Sequence, residues 1–417
     1  MFLTGAVSVA LVAIAFAVAC EHANRIFHEL IAVSPYLALL VTPAGLMLIA
    51  AVTRRYFAGS QGSGIPQTIA SLDPQESHMV REKVLSMRVM LGKIGLTVVA
   101  LFCGAAVGRE GPTVQIGASI MHKLGSFARF PKHDLERGLI LAGGAAGVAA
   151  AFNTPLAGVV FAIEEMGRSF ERQISGTILM TVILAGLTSV ALLGNYTYFG
   201  RTSDTLTLGS EWLAVVVCGV SGGALGGIFS RTLIAFSRGL PGKAGTWMRE
   251  HPVQFAGACG LVIAAAGIAS GSTTYGSGYE EAKSLLDGKT VLPESFGALK
   301  MLSVLASSVS GIPGGLLSPS LSAGAGLGAN IAHLLTATPA GATIILGMVA
   351  YFSGATQAPI TAFVIVMEMT GNHAMLLPLM TASFIANSTS RLICPGSVYH
   401  VLAQNFLGQR QPQPERP

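Results

Sequence analysis

A chain of 417 residues that is 51% hydrophobic and only 11% charged is not a soluble globular domain, where about a quarter of the residues carry charge. The composition reads as an integral membrane protein, and a modest formal net charge of +5, with its basic residues clustered in connecting segments, makes nucleic-acid binding a poor reading. The apolar runs are continuous rather than alternating, which excludes a transmembrane β-barrel.

The first apolar runs cover 3–19 and 31–52. No basic segment precedes the first, so no cleavable signal peptide is expected. Arg54 and Arg55 close the second run. The other basic groups (Arg81, Lys83, Arg88; Lys123, Arg129, Lys132, Arg137; Arg168, Arg172) are expected in loops or at helix ends near lipid headgroups. GSGIP follows at 62–66, comprising Gly62, Ser63, Gly64, Ile65 and Pro66. Glycine allows close backbone approach, and proline suits a first helical turn. The segment therefore predicts a helix start whose free N–H groups and positive dipole end can hold an anion. Ser63 either adds a hydroxyl donor to that site or caps its own helix.

After an apolar run at 94–107, GREGPTVQIG (108–117) repeats the design with Gly108, Arg109, Glu110, Gly111 and Pro112. A carboxylate at a helix start is itself an anion, so Glu110 can occupy the site as a tethered competitor and release it when protonated. Ionisable groups at membrane depth are costly and functional by default. Arg109 and Lys93 raise the local positive potential. The run 138–163 ends in IEEM (163–166), where Glu164 and Glu165 face different directions. Further runs follow at 174–194, 212–229, 254–269 and 298–317. The stretch GVSGGALGGIF (219–229) is suited to close helix packing, within or between chains. GLLSP (315–319) is a third Gly-to-Pro helix start, in which Leu316 and Leu317 offer backbone N–H groups between Gly315 and Pro319. Runs at 340–352 and 374–386 precede a polar, proline-rich tail, 408–417, expected to be disordered. Several runs fall short of the roughly 20 residues a spanning helix needs, and 51 glycines and 19 prolines predict tightly packed, interrupted helices. The five cysteines form no CxxC pair and read as small core residues.

The chain also resembles itself. AFNTPLAGVVFAIEEM (151–166) matches ATQAPITAFVIVMEM (355–369), pairing Pro155 with Pro359, Glu164 with Glu368 and Gly143 with Gly347 at an offset of 204. GREGPTVQIGA (108–118) matches GLLSPSLSAGA (315–325) at an offset of 207. Duplicated halves in transporters are commonly inverted in topology, with the substrate site between them. Glu164 and Glu368 share a structural task such as capping or tying a loop. Glu165 faces Met369 in the alignment, and this asymmetry makes it the candidate for proton work.

GSGIP, GREGPTVQIG, GLLSP and the tyrosine of SVYHVL (397–402), in that order, resemble the CLC family of chloride channels and chloride/proton antiporters over roughly residues 3–405. The resemblance implies an all-α polytopic membrane protein built from two inverted repeats of tilted and re-entrant helices. It implies a homodimer with an ion path in each subunit. One transport domain is expected over 1–407, with repeats at about 1–200 and 208–405. Ser63 and Tyr399 would give hydroxyls to a central chloride, and Leu316 and Leu317 backbone amides. Glu110 would be the external gating glutamate and Glu165 the internal proton-transfer glutamate. Ser63 argues for chloride, since proline there marks nitrate preference and methionine the fluoride branch. Leu317 stands where phenylalanine is frequent, and Ser318 where a small apolar residue is commoner. The chain begins almost directly in an apolar helix, where the family has an amphipathic one. The expected partners are chloride, the proton, the lipid bilayer and a second copy, with no cofactor or metal, in a bacterial inner (plasma) membrane. A passive chloride channel is the alternative. A serine hydrolase using Ser63 fails for want of a nearby histidine base and a full G-x-S-x-G frame.

Overall fold

Proline and glycine set where the helices begin, and long apolar runs set how far they go. In the computed structural model, which describes residues 2–73, 78–127, 133–167, 175–194, 197–289 and 292–407, nearly every element is helical. The first half runs α1 (Phe2–Val33), α2 (Ala38–Tyr56), α3 (Ile65–Ser71), α4 (His78–Leu85), α5 (Met87–Phe102), α6 (Glu110–Phe127), α7 (His133–Phe152), α8 (Pro155–Phe161) and α9 (Ser175–Leu193). A π-helical bend, Ala162–Met166, continues α8 and carries both glutamates of IEEM. The second half runs α10 (Leu213–Arg238), α11 (Gly242–Glu250), α12 (Pro252–Ala269), α13 (Tyr279–Leu286), α14 (Phe296–Val309), α15 (Leu317–Leu334), α16 (Ala340–Thr356), α17 (Pro359–Thr370), α18 (Leu376–Ile393) and α19 (Val398–Ala403).

The repeat offsets reappear as helix bounds. Both ends of α15 lie 207 positions after those of α6, and α17 starts 204 positions after α8. α6 packs on α7 as α15 packs on α16. Each pair is nearly in backbone contact where matched glycines meet: a side chain at Gly117 would run into the Gly143 carbonyl, and one at Gly324 into that of Gly347. Even a strained residue is duplicated. Asn153 and Gln357 both adopt a left-handed φ, of 57° and 59°, two residues before the prolines that open α8 and α17.

Among the described residues, five helical spans, including α1, α2, α10 and α12, are long and apolar enough to cross a membrane; α3, α8 and α17 are fractions of that length. The small-residue stretch 219–229 packs within the chain. Gly222 and Gly226 abut α16 at Ala350 and Gly354, while Gly223 and Gly227 abut α18 at Ala386 and Ser390. Outward faces stay apolar, as with Leu40, Leu187 and Leu377. All five cysteines are buried and unpaired, as expected.

Two expectations about charge are corrected. Arg81 is 1% exposed; its Nε donates to the Ser71 carbonyl and its Nη1 pairs with Glu136 at 3.1 Å. His122, one of the histidines that the sequence places mostly in connecting segments, is instead buried in α6 beside Glu82 and Glu136. A short helix such as α3 needs its orphan C-terminal carbonyls satisfied, and buried cations supply that; Arg137 likewise donates to the Leu72 carbonyl. Arg129, Lys132, Arg168, Arg172 and the tail 408–417 lie outside the described residues.

Candidate anion site

The three Gly-to-Pro starts converge. The Gly62 N–H donates to the Ile312 carbonyl at 3.0 Å, and the Gly314 N–H donates to that of Gly62 at 3.0 Å. Gly108 and Gly315 exchange both their backbone bonds at 2.8 Å. These two isolated bridges tie loops of both halves into one knot, from which α3, α6 and α15 diverge. Glycine is required here for space: a side chain at Gly111 would strike Ser63 Oγ, and one at Gly315 would crowd the Gly108 carbonyl and Pro112.

The cap of α3 is Gly64, at φ 102°, with no side-chain capping bond. Ser63 therefore does not cap its helix. Its hydroxyl is buried without a hydrogen-bond partner, and so is that of Tyr399 on α19. The two hydroxyls face each other, short of hydrogen-bond geometry. Buried polar groups left unpaired cost free energy, and this pair lies beside the joined helix starts. Lys93 is fully buried, and its Nζ donates to the Gly62 carbonyl at 2.8 Å. It holds the GSGIP loop.

Glu110 opens α6 and is 0% exposed. Its carboxylate does not rest on helix amides. Oε1 accepts from the Tyr198 hydroxyl at 3.3 Å, and Oε2 has no partner. The Tyr198 hydroxyl also lies 3.4 Å from Ser318 Oγ. Packing locks the tyrosine ring, with Phe152, Phe199 and Tyr279 edge-on to it at 4.6–5.6 Å. A neutral donor set off the helix axis thus draws the carboxylate away from the amides. Arg109 donates to the Ala17 carbonyl at 2.9 Å and makes no ion pair with Glu110.

Glu165 is 1% exposed in the π bend. Its Oε1 accepts from the Ser397 hydroxyl at 3.2 Å and lies 3.3 Å from His400 Nδ1. Glu164 turns the other way, accepting from the amides of Ile360 and Thr361.

One cavity, of about 810 Å³, reaches Gly62, Ser63 and Leu316 and includes Lys83 on its wall. Two others, of about 290 and 210 Å³, reach Arg109 and Tyr198. Glu110 is bonded to that tyrosine.

Residues 45–391 match the family described as voltage gated chloride channel. The chain belongs to the CLC family. It is 31% identical over 393 residues to the H(+)/Cl(-) exchange transporter ClcA of Cronobacter sakazakii, spanning 86% of this chain and 78% of that protein. It is 30% identical over 410 residues to the ClcA of Yersinia pestis, spanning 90% and 80%. A slow cyanobacterial Cl−/H+ antiporter shares the fold with a TM-score of 0.82 at 22% identity, over 98% of each chain. A CLC-type fluoride/proton antiporter does so at 0.81 and 21%, over 96% of each. This CLC protein is therefore integral to the membrane and multi-pass, with the inverted-repeat helical fold expected from its sequence.

Sequence reasoning missed three polar groups of the CLC site: Tyr198, Ser397 and His400. The last two flank the motif tyrosine, but nothing local ties them to Glu165, 232 residues before Ser397. It also missed a second GSG, at 276–278, which precedes α13 as GSGIP precedes α3. Lys300, 207 positions after Lys93, donates to the Thr274, Tyr275 and Gly276 carbonyls there. That copy has Glu280 and Glu281 in its first helical turn instead of a proline, charges that repel an anion.

Proposed function

We propose that this CLC protein exchanges chloride for protons across a bacterial inner membrane. The observation that carries the reading is the pair of buried, unpartnered hydroxyls of Ser63 and Tyr399, facing each other at the joined starts of α3, α6 and α15. Chloride sits there on those hydroxyls and on the Leu316 and Leu317 amides. It reaches the site through the cavities on either side, drawn by Lys83 at one and Arg109 at the others. Gly62, Gly64, Ile65, Pro66, Gly108, Gly111, Pro112, Gly315 and Pro319 shape the backbone.

Glu110 is the gate. Deprotonated, it competes for the amides; turned to Tyr198, it leaves them free. Glu165 exchanges protons with the opposite side. The two carboxylates and the chloride between them form one path whose occupants exclude each other, and that exclusion couples the flows. The transport domain spans 1–407, with repeats at about 1–200 and 208–405. It works in a lipid bilayer as a homodimer and needs no cofactor beyond its two ions. Relatives named H(+)/Cl(-) exchange transporters support this choice over a passive channel.

Reversal potentials of liposomes holding the purified protein, under combined pH and chloride gradients, test it. Antiport sets a potential that shifts with pH; a potential fixed by chloride alone makes the protein a channel. Glu165→Gln is expected to abolish proton movement and leave chloride flux.

A further inference from the structure

A proton bound for Glu165 must cross from water to a carboxylate that is 1% exposed. The large cavity does not reach it: its wall takes Leu402 and Asn405 from the C-terminal segment, and neither Glu165 nor His400. His400 lies on another face of α19. Its side chain is 27% exposed, and its Nδ1 stands 3.3 Å from Glu165 Oε1, within ion-pair distance but without hydrogen-bond alignment. The same carboxylate oxygen is fixed by the Ser397 hydroxyl, which also bonds the Thr356 carbonyl. The histidine is thus the one titratable side chain, among the described residues, that touches Glu165 at one end and the surface at the other.

From this geometry we infer that His400 relays protons between water and Glu165, along a route separate from the chloride cavity. This rests on the antiport reading above. Imidazole is the side chain that both takes and gives protons in the neutral range. One ring nitrogen accepts a proton from water to give imidazolium. The Nδ1 proton then passes to Oε1, leaving neutral imidazole and a carboxylic acid; a ring rotation aligns the donor and resets the pair. Few other charges compete. Of the elements packed on α19, α3 has no titratable side chain, α16 has Tyr351 and α10 has Cys218, Arg231 and Arg238. On the bend itself, Glu164 is bound to the start of α17.

The test uses the full-length protein in liposomes, with a chloride gradient driving protons uphill. Wild type that moves chloride and no protons overturns antiport and the relay together. With coupling present, His400→Gln is expected to cut proton flux by about tenfold or more and to draw the reversal potential toward that of chloride. Imidazole in the buffer is expected to restore proton flux in His400→Ala and to do nothing for Glu165→Gln. Proton flux in His400→Gln equal to wild type, or a His400→Ala loss that imidazole leaves unrepaired, overturns the relay and leaves antiport standing. The chloride flux of His400→Gln and its melting in detergent report folding. If both fall well below wild type, the histidine is structural and the relay is overturned.

Discussion

Glu164 and Glu165 are adjacent, and helical geometry sends neighbouring side chains about 100° apart. One reaches the amides of α17 while the other faces Ser397, His400 and Tyr399. The asymmetry of the repeat, with Met369 opposite Glu165, was enough to separate them. Ser63 was different. Spacing allowed both a cap and a ligand, and the structure removes the first, because Gly64 is the cap. Glu110 was read as a competitor lying on the helix amides, yet its donor is Tyr198, 88 residues away. That bond carries a prediction. Hydrogen bonds to charged groups contribute about 1.5–3 kcal/mol. Tyr198→Phe releases the carboxylate toward the amides, where it blocks chloride. Chloride and proton fluxes measured in liposomes should fall together by about tenfold with their ratio kept; an unchanged rate would show that the hydroxyl does not hold the gate.

At the scale of elements, the duplicated helices brace each other across the repeat. Glu164, in the first half, accepts the Ile360 and Thr361 amides at the start of α17. Glu368, in the second half, accepts the Leu156 and Ala157 amides at the start of α8. Each short helix thus has its orphan donors satisfied by a carboxylate from the other. The shared task was foreseen from the 204-residue offset; that each glutamate serves the opposite half was not, because an offset says nothing about which copies touch. Glu164→Ala and Glu368→Ala should each destabilise the protein by about 1–3 kcal/mol, read as lowered thermal melting in detergent, while chloride selectivity stays unchanged. A melting point equal to wild type would show that water satisfies these amides instead.

At the scale of the whole molecule, the proposed path has a cavity reaching Ser63 on one side and cavities reaching Tyr198 on the other. Ser237 lines the first and Ser277 the larger of the others, and the five native cysteines are buried. Ser237→Cys and Ser277→Cys are therefore expected to react with membrane-impermeant thiol reagents from opposite faces of the bilayer. Modification of both from one face would refute the two-ended path.

Membrane class, the duplication and the three helix starts were legible because they are local. Apolar run length, a proline after a glycine, and a repeated spacing leave their mark within a few residues of each other. What those starts surround was decided by tertiary structure alone. Ser63 meets Tyr399, Glu110 meets Tyr198, and Glu165 meets His400, all across long sequence separations. The first and third pairs join the two inverted halves and the second joins distant parts of one half; packing through glycine-thin contacts creates them, and no local pattern records where a distant segment will lie.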